Sequence, residues 1–98
     1  MVQYLHTMIR VTDPQATVDF FKHIGLEEVR RFDSEAGRFT LIFLAAPGQA
    51  GLAEVELTYN WPSADGSAPE EYTGGRNFGH LAYRVENIYE TCQRPVSY

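Results

Sequence analysis

Alternation of apolar and polar residues predicts a β-strand over residues 2–11. Side chains of a strand point alternately to its two faces, so His6 and Arg10 share one face while Ile9 lies on the other. The predicted strand therefore has one mainly apolar face and one face that carries ionisable groups.

A helix is predicted directly after this strand. Asp13 is suited to cap it and Pro14 to begin it, because these residue types are favoured at the N-cap and the first helical position. Val18 and Phe21 fall on one apolar stripe of the helix. Gly25 is suited to end it, since glycine readily adopts the left-handed backbone of a C-terminal cap.

Three further strands complete a β-α-β-β-β pattern over residues 1–60. They are predicted at residues 26–32, 38–46 and 53–60, with a hairpin turn at 33–37. Residues 61–76 are rich in glycine, proline and serine and are predicted to be a linker. Residues 77–85 are then predicted to form another strand, followed by a helix that opens at Asn87 and stops before Pro95.

The chain contains an internal repeat. Residues 6–13 and residues 80–87 both consist of histidine, three residues, Arg-Val, one residue and a helix-capping side chain. Such a repeat indicates an architecture of related modules. We expect a single α+β domain over residues 1–98: one complete module (1–60), the linker (61–76) and the β-α start of a second, truncated module (77–98).

Composition excludes several classes of protein. The chain has 98 residues, 44% of them apolar, and a formal net charge of −5. This charge disfavours nucleic acid and anionic membranes as partners, and the longest apolar run, residues 41–46, is too short to cross a bilayer. The only cysteine, Cys92, excludes an internal disulfide and suits a reducing cytoplasm.

Strand parity points to a candidate site. His6 and Arg10 share a face of the first strand, Glu56 lies on the ionisable face of the fourth, and His80 occupies the repeat position of His6. Two imidazoles and a carboxylate are a ligand set for a divalent transition metal. The alternative is that these are ordinary polar side chains on half-solvated strands.

Three segments resemble glyoxalase I, the lactoylglutathione lyase family of the vicinal-oxygen-chelate superfamily. They are Leu5–Val11, the string Glu-Leu-Thr-Tyr-Asn-Trp at 56–61, and Arg76–His80. The resemblance implies paired βαβββ modules. It also implies isomerisation of the hemithioacetal of methylglyoxal and glutathione to S-lactoylglutathione through a metal-bound enediolate, a reaction that detoxifies methylglyoxal.

The resemblance also assigns roles to residues. Three positions match metal ligands of the family: His6, Glu56 and His80. Glu56 is in addition the catalytic carboxylate. Four positions match glutathione contacts: Arg10, Thr58, Asn60 and Arg76. Histidine at position 6 favours Ni²⁺ or Co²⁺, with Zn²⁺ as the other candidate, and the family implies a homodimer.

The resemblance stops before the last three strands of the second module. The family's final glutamate would lie beyond Tyr98, so we expect the chain as given to be weakly active or inactive. Two alternatives to the lyase are a metal-free small-molecule-binding module of the same superfamily and an inactive fragment. The presence of His6, Glu56 and His80 argues against a metal-free pocket.

Overall fold

The computed structural model describes residues 1–66, 70–76 and 78–93. Its elements in chain order are β1 (His6–Arg10), α1 (Pro14–His23), β2 (Glu27–Ser34), β3 (Phe39–Ala45), β4 (Glu54–Asn60) and α2 (Ile88–Gln93). The four strands form one sheet in the order β1-β4-β3-β2, in which β1 runs parallel to β4 and the other pairs are antiparallel. The predicted α+β class and β-α-β-β-β order are confirmed.

Local chemistry sets the ends of α1. The Asp13 carboxylate accepts a hydrogen bond from the backbone N–H of Ala16 at 3.0 Å, and Pro14 is the first helical residue. This is the predicted cap, and it satisfies one of the backbone donors left open at a helix start. Gly25 follows the helix with φ of +111°, a backbone conformation that favours glycine.

The first strand is shorter than its sequence pattern. Alternation extends from residue 2, but β1 begins only at His6, opposite Glu54. The reason lies in β4, the strand with which β1 pairs. β4 itself begins at Glu54, and residues 46–53 before it form a turning loop with positive φ at Gly48 and Gly51. Before His6 only the carbonyls of Tyr4 and Leu5 still accept hydrogen bonds, from Ala53 N–H at 3.4 Å and Glu54 N–H at 2.9 Å.

The core lies between α1 and one face of the sheet. Val18 of α1 packs with Ile42, Leu44 and Leu57, and all four are at most 1% exposed. Ile42 and Leu44 alternate along β3 and Leu57 lies on the neighbouring strand, so their side chains share the helix-covered face. Burial of this apolar surface is what holds the helix on the sheet.

The prediction of a strand at residues 77–85 is wrong for the described part, 78–85, where no strand forms. A strand needs a paired neighbour, and none of the four described strands runs alongside this segment. The segment instead packs near α1: Leu81 touches the core, and the Tyr83 ring lies 6.4 Å from that of Phe21.

The second helix opens as predicted. The Asn87 side chain accepts a hydrogen bond from the backbone N–H of Glu90 at 3.1 Å. The predicted stop at Pro95 lies outside the described residues. Neither α1 nor α2, the helices of the described ranges, has the length and apolar character needed to cross a bilayer.

Leu57→Ala should lower the free energy of unfolding by about 2–5 kcal/mol, because it opens a cavity at a site that is fully buried. Leu52→Ala is the matched control: Leu52 is 49% exposed, so its truncation should change stability by less than about 0.5 kcal/mol. Urea denaturation of both variants measures the difference. Equal effects would contradict the assigned core.

Candidate functional site

The sheet has one face covered by α1 and one face opposite to it. Strand register places a set of mostly polar and aromatic side chains together on this opposite face, which we call the site face. Its members include His6, Met8, Arg10, Arg30, Phe32, Ser34, Phe39, Leu41, Phe43, Glu54, Glu56, Thr58 and Asn60. The predicted parity of His6, Arg10, Glu56 and Asn60 is therefore the parity found.

His6 and Glu56 are in contact on the site face. His6 Nε2 lies 3.1 Å from Glu56 Oε1. The second oxygen of this carboxylate, Oε2, accepts a hydrogen bond from the Thr58 hydroxyl at 3.1 Å. The Phe43 ring meets the imidazole at 83°, with 5.7 Å between ring centroids. Both ends of the carboxylate and one side of the imidazole are thus held in place.

A second carboxylate on the same face is fully engaged. Glu54 Oε1 and Oε2 accept hydrogen bonds from the two terminal nitrogens of Arg30 at 2.7 and 3.0 Å, and Gly51 N–H also donates to Oε2. The Glu54 side chain is only 2% exposed. Hydrogen bonds from Arg30 hold the pKa of the Glu54 carboxyl below its usual range, against the opposing effect of burial.

Arg10 and Asn60 lie at the same end of the sheet, where β1 and β4 finish. Arg10 borders a cavity between the start of α1 and residues 70–72, and Asn60 borders a neighbouring cavity; Tyr72 lines both. The Tyr72 hydroxyl donates to Asn60 Oδ1 at 3.4 Å. These two predicted glutathione contacts thus face adjoining cavities beyond the His6–Glu56 pair.

The other two predicted site residues lie apart from the sheet. Arg76 is exposed in a turn at residues 75–76, and His80 is exposed in the irregular segment that follows. Within residues 1–66, 70–76 and 78–93, no three His, Cys, Asp or Glu side chains gather into a metal-binding group. The structure brings together two of the three predicted ligands, and the role of His80 stays a prediction.

Comparison with known proteins identifies the family. Residues 3–97 match the Glyoxalase/Bleomycin resistance protein/Dioxygenase superfamily. The chain belongs to this superfamily. The match spans the β-α-β-β-β unit with its His6–Glu56 pair as well as the segment that carries His80.

Several relatives in this superfamily carry the name lactoylglutathione lyase. The protein of Neisseria meningitidis serogroup A is 36% identical over 94 residues, which cover 95% of this chain and 64% of the relative. A probable lactoylglutathione lyase of Synechocystis is 40% identical over 91 residues, covering 92% of this chain and 65% of the relative. The chain thus spans somewhat less than two thirds of the length of these relatives.

Solved structures of glyoxalase I share the fold. The enzyme from Zea mays superposes with a TM-score of 0.76 at 27% identity, covering 92% of this chain and 30% of that one. The trypanothione-dependent glyoxalase I of Leishmania major gives a TM-score of 0.73 at 30% identity, covering 94% and 63%. The arrangement of helices and strands in this superfamily member is therefore that of part of a glyoxalase I.

Sequence reasoning missed Arg30. The β2–β3 register shifts between Glu28 and Arg30, which leaves Val29 in a bulge. Without that extra residue Arg30 would face the helix side, because a shift of one position exchanges the two faces of a strand. Parity along the chain gives no sign of such a bulge, so the ion pair with Glu54 could not be predicted.

Glu54→Gln should reduce the free energy of unfolding by about 1–3 kcal/mol at neutral pH, because it removes charge-assisted hydrogen bonds at a buried group. The pKa of Glu54 is lowered in the folded state, so this stabilisation is present above the unfolded-state pKa of about 4.3. It is lost as the pH falls through the folded-state value. The gap between wild type and variant should therefore shrink in acid.

Glu28→Gln is the control, because Glu28 also pairs with an arginine, Arg31, but at a more exposed place on β2. Its effect should stay below about 1 kcal/mol. Chemical denaturation of the metal-free protein across the acidic range measures both variants. A Glu54→Gln deficit that does not shrink in acid would refute the assigned ion pair.

Proposed function

We propose that this chain carries one side of a glyoxalase I site, which isomerises the hemithioacetal of methylglyoxal and glutathione to S-lactoylglutathione. The observation that carries the proposal is the contact of His6 Nε2 with Glu56 Oε1 at 3.1 Å on the sheet face opposite α1. The relatives named lactoylglutathione lyase support the choice of reaction. A cytoplasmic location fits this function, because reduced glutathione is the abundant thiol of that compartment.

The donor set fits a divalent transition metal. An imidazole nitrogen and a carboxylate oxygen are donor types that Ni²⁺, Co²⁺ and Zn²⁺ accept, and here they already lie side by side. Thr58 holds the second oxygen of Glu56, as outer-shell groups do around metal ligands. When bound, the metal would supply Lewis-acid stabilisation of negative charge on the two neighbouring oxygens of the substrate.

His80 is the third proposed ligand. Within the described chain it does not join His6 and Glu56, so we infer that it reaches the site from a second copy. This arrangement would make the protein a homodimer with composite sites. It also implies that an isolated chain, with only two donors gathered, binds metal weakly and turns over slowly.

Glu56 is the proposed proton carrier. The reaction moves a proton between adjacent carbons, and a carboxylate oxygen held beside both can accept it and return it. Oε1 contacts His6, while the Thr58 hydroxyl fixes Oε2. Phe43, 9% exposed, walls the site on the sheet side and excludes water there.

Arg10, Asn60, Thr58 and Arg76 are the proposed glutathione contacts. Glutathione has two carboxylates, which arginine binds well because its donors match the spacing of carboxylate oxygens. Arg10 and Asn60 support this assignment by bordering adjoining cavities at one end of the sheet. Thr58 already donates to Glu56, so we assign it first to orienting that carboxylate.

His6→Ala and Glu56→Gln should each weaken Co²⁺ binding by at least about 10–100-fold, the loss typical of outer-shell changes alone. Isothermal titration calorimetry with Co²⁺ measures the affinity. His23→Ala is the control, because His23 bonds the Thr91 carbonyl, away from the site face. If the variants bind Co²⁺ as wild type does, the metal assignment is wrong. Glu56→Gln should also lower hemithioacetal turnover by about 10²–10⁴-fold.

Arg10→Ala and Asn60→Ala should weaken binding of an S-substituted glutathione while leaving Co²⁺ affinity nearly unchanged. Loss of the charge-assisted contact of Arg10 should cost about 1.5–3 kcal/mol of binding free energy, and loss of the neutral contact of Asn60 should cost less. Calorimetry with S-hexylglutathione tests this. Arg31→Ala serves as the control, because Arg31 pairs with Glu28 on β2. Unchanged binding in both site variants would exclude this end of the sheet as the glutathione-binding site.

A further inference from the structure

The sheet register offers His6 two carboxylates. In the parallel pairing of β1 with β4, Glu54 is the direct Cα partner of His6, and Glu56 is opposite Met8. Direct partners on one face of a sheet are close enough to interact. The imidazole nevertheless pairs with Glu56, at 3.1 Å. Strand pairing alone does not explain that choice.

Glu54, the second carboxylate near His6, is bound by Arg30. Its two terminal nitrogens donate to both oxygens of Glu54, at 2.7 and 3.0 Å, and Gly51 N–H donates to Oε2. A planar guanidinium that binds a carboxylate through two parallel bonds fixes its orientation as well as its charge. Both oxygens of Glu54 are therefore occupied by Arg30 of β2, although Glu54 lies beside His6 on the site face.

Phe43 contacts one member of each pair. The guanidinium carbon of Arg30 lies 3.9 Å from the centre of the Phe43 ring, and that ring meets the His6 imidazole at 83°. Both pairs therefore share one aromatic neighbour on β3, with Arg30 reaching Glu54 from β2 and His6 reaching Glu56 from β1.

We propose that Arg30 is a positioning residue of the site: by holding Glu54, it leaves Glu56 as the carboxylate that pairs with His6. The bulge at Val29 allows Arg30 to bind Glu54, because it turns Arg30 onto the site face. The inference rests on the proposed function only for the importance of the His6–Glu56 pair, and the pairing itself can be measured without metal or substrate.

The test is nuclear Overhauser spectroscopy of the metal-free chain, measuring contacts of the His6 ring protons with the side-chain methylenes of Glu54 and Glu56. Arg30→Met keeps an apolar stem over Phe43 but removes the guanidinium. We expect the His6 ring to lose contacts with Glu56 and gain contacts with Glu54. Arg31→Met, the neighbouring change at an arginine that pairs with Glu28, should leave the His6 contacts unchanged.

The double variant Arg30→Met/Glu54→Val isolates the mechanism. It removes the buried Glu54 carboxylate together with its half-exposed partner Arg30, so no charge is left buried without a partner. We expect His6 to return to Glu56. If Arg30→Met does not fold, Arg30→Lys replaces it, since lysine keeps the charge but cannot bind both oxygens in a fixed plane, and a partial shift of His6 toward Glu54 is expected.

Co²⁺ titration gives a second measurement. Arg30→Met should weaken Co²⁺ binding by about 10–100-fold, and the double variant should restore it. If His6 stays on Glu56 when Arg30 is replaced, or if the double variant is as impaired as the single one, the proposal is wrong. If the wild-type chain binds no Co²⁺, the proposed metal site fails, while the His6 contacts still decide the role of Arg30.

Discussion

The parallel pairing of β1 with β4 is the constraint on which the site depends. It joins two strands that are separated in sequence by α1, β2 and β3, and it places His6 beside the carboxylates of β4. The same register puts Ile9 opposite Leu57 on the helix-covered face. A slip of one residue would expose Ile9 and turn His6 into the core. Burial of the core and geometry of the site are therefore set by one register.

Much of this arrangement follows from period-two and period-3.6 patterns. Alternation predicts that His6 and Glu56 share an ionisable face, and Asp13 predicts where α1 begins, because these signals are local. Features that depend on how two strands fit together leave no such local signal. The bulge at Val29 arises from how β2 fits β3. Residues 78–85 alternate like a strand but have no described strand to pair with, so the same pattern that succeeds for β1 fails there.

The site face uses its two glutamates differently. Glu54 is buried and bound by Arg30 and Gly51, which makes it part of the framework. Glu56 is 13% exposed, with one oxygen on His6. A carboxylate that contacts an imidazole through one oxygen and is oriented by a hydroxyl at the other suits both metal binding and proton transfer. Superfamily membership is established by the match over residues 3–97, and the glyoxalase function that we propose rests on this pair.

The central claim is that His6 and Glu56 form half of a divalent metal site. X-ray diffraction at the cobalt absorption edge, on crystals of the chain grown with Co²⁺, tests it directly by locating the ion. We expect an anomalous peak within about 2.0–2.2 Å of both His6 Nε2 and Glu56 Oε1, with His80 of a second copy as a third ligand. A fully bound ion elsewhere, with His6 and Glu56 still paired to each other, would contradict it.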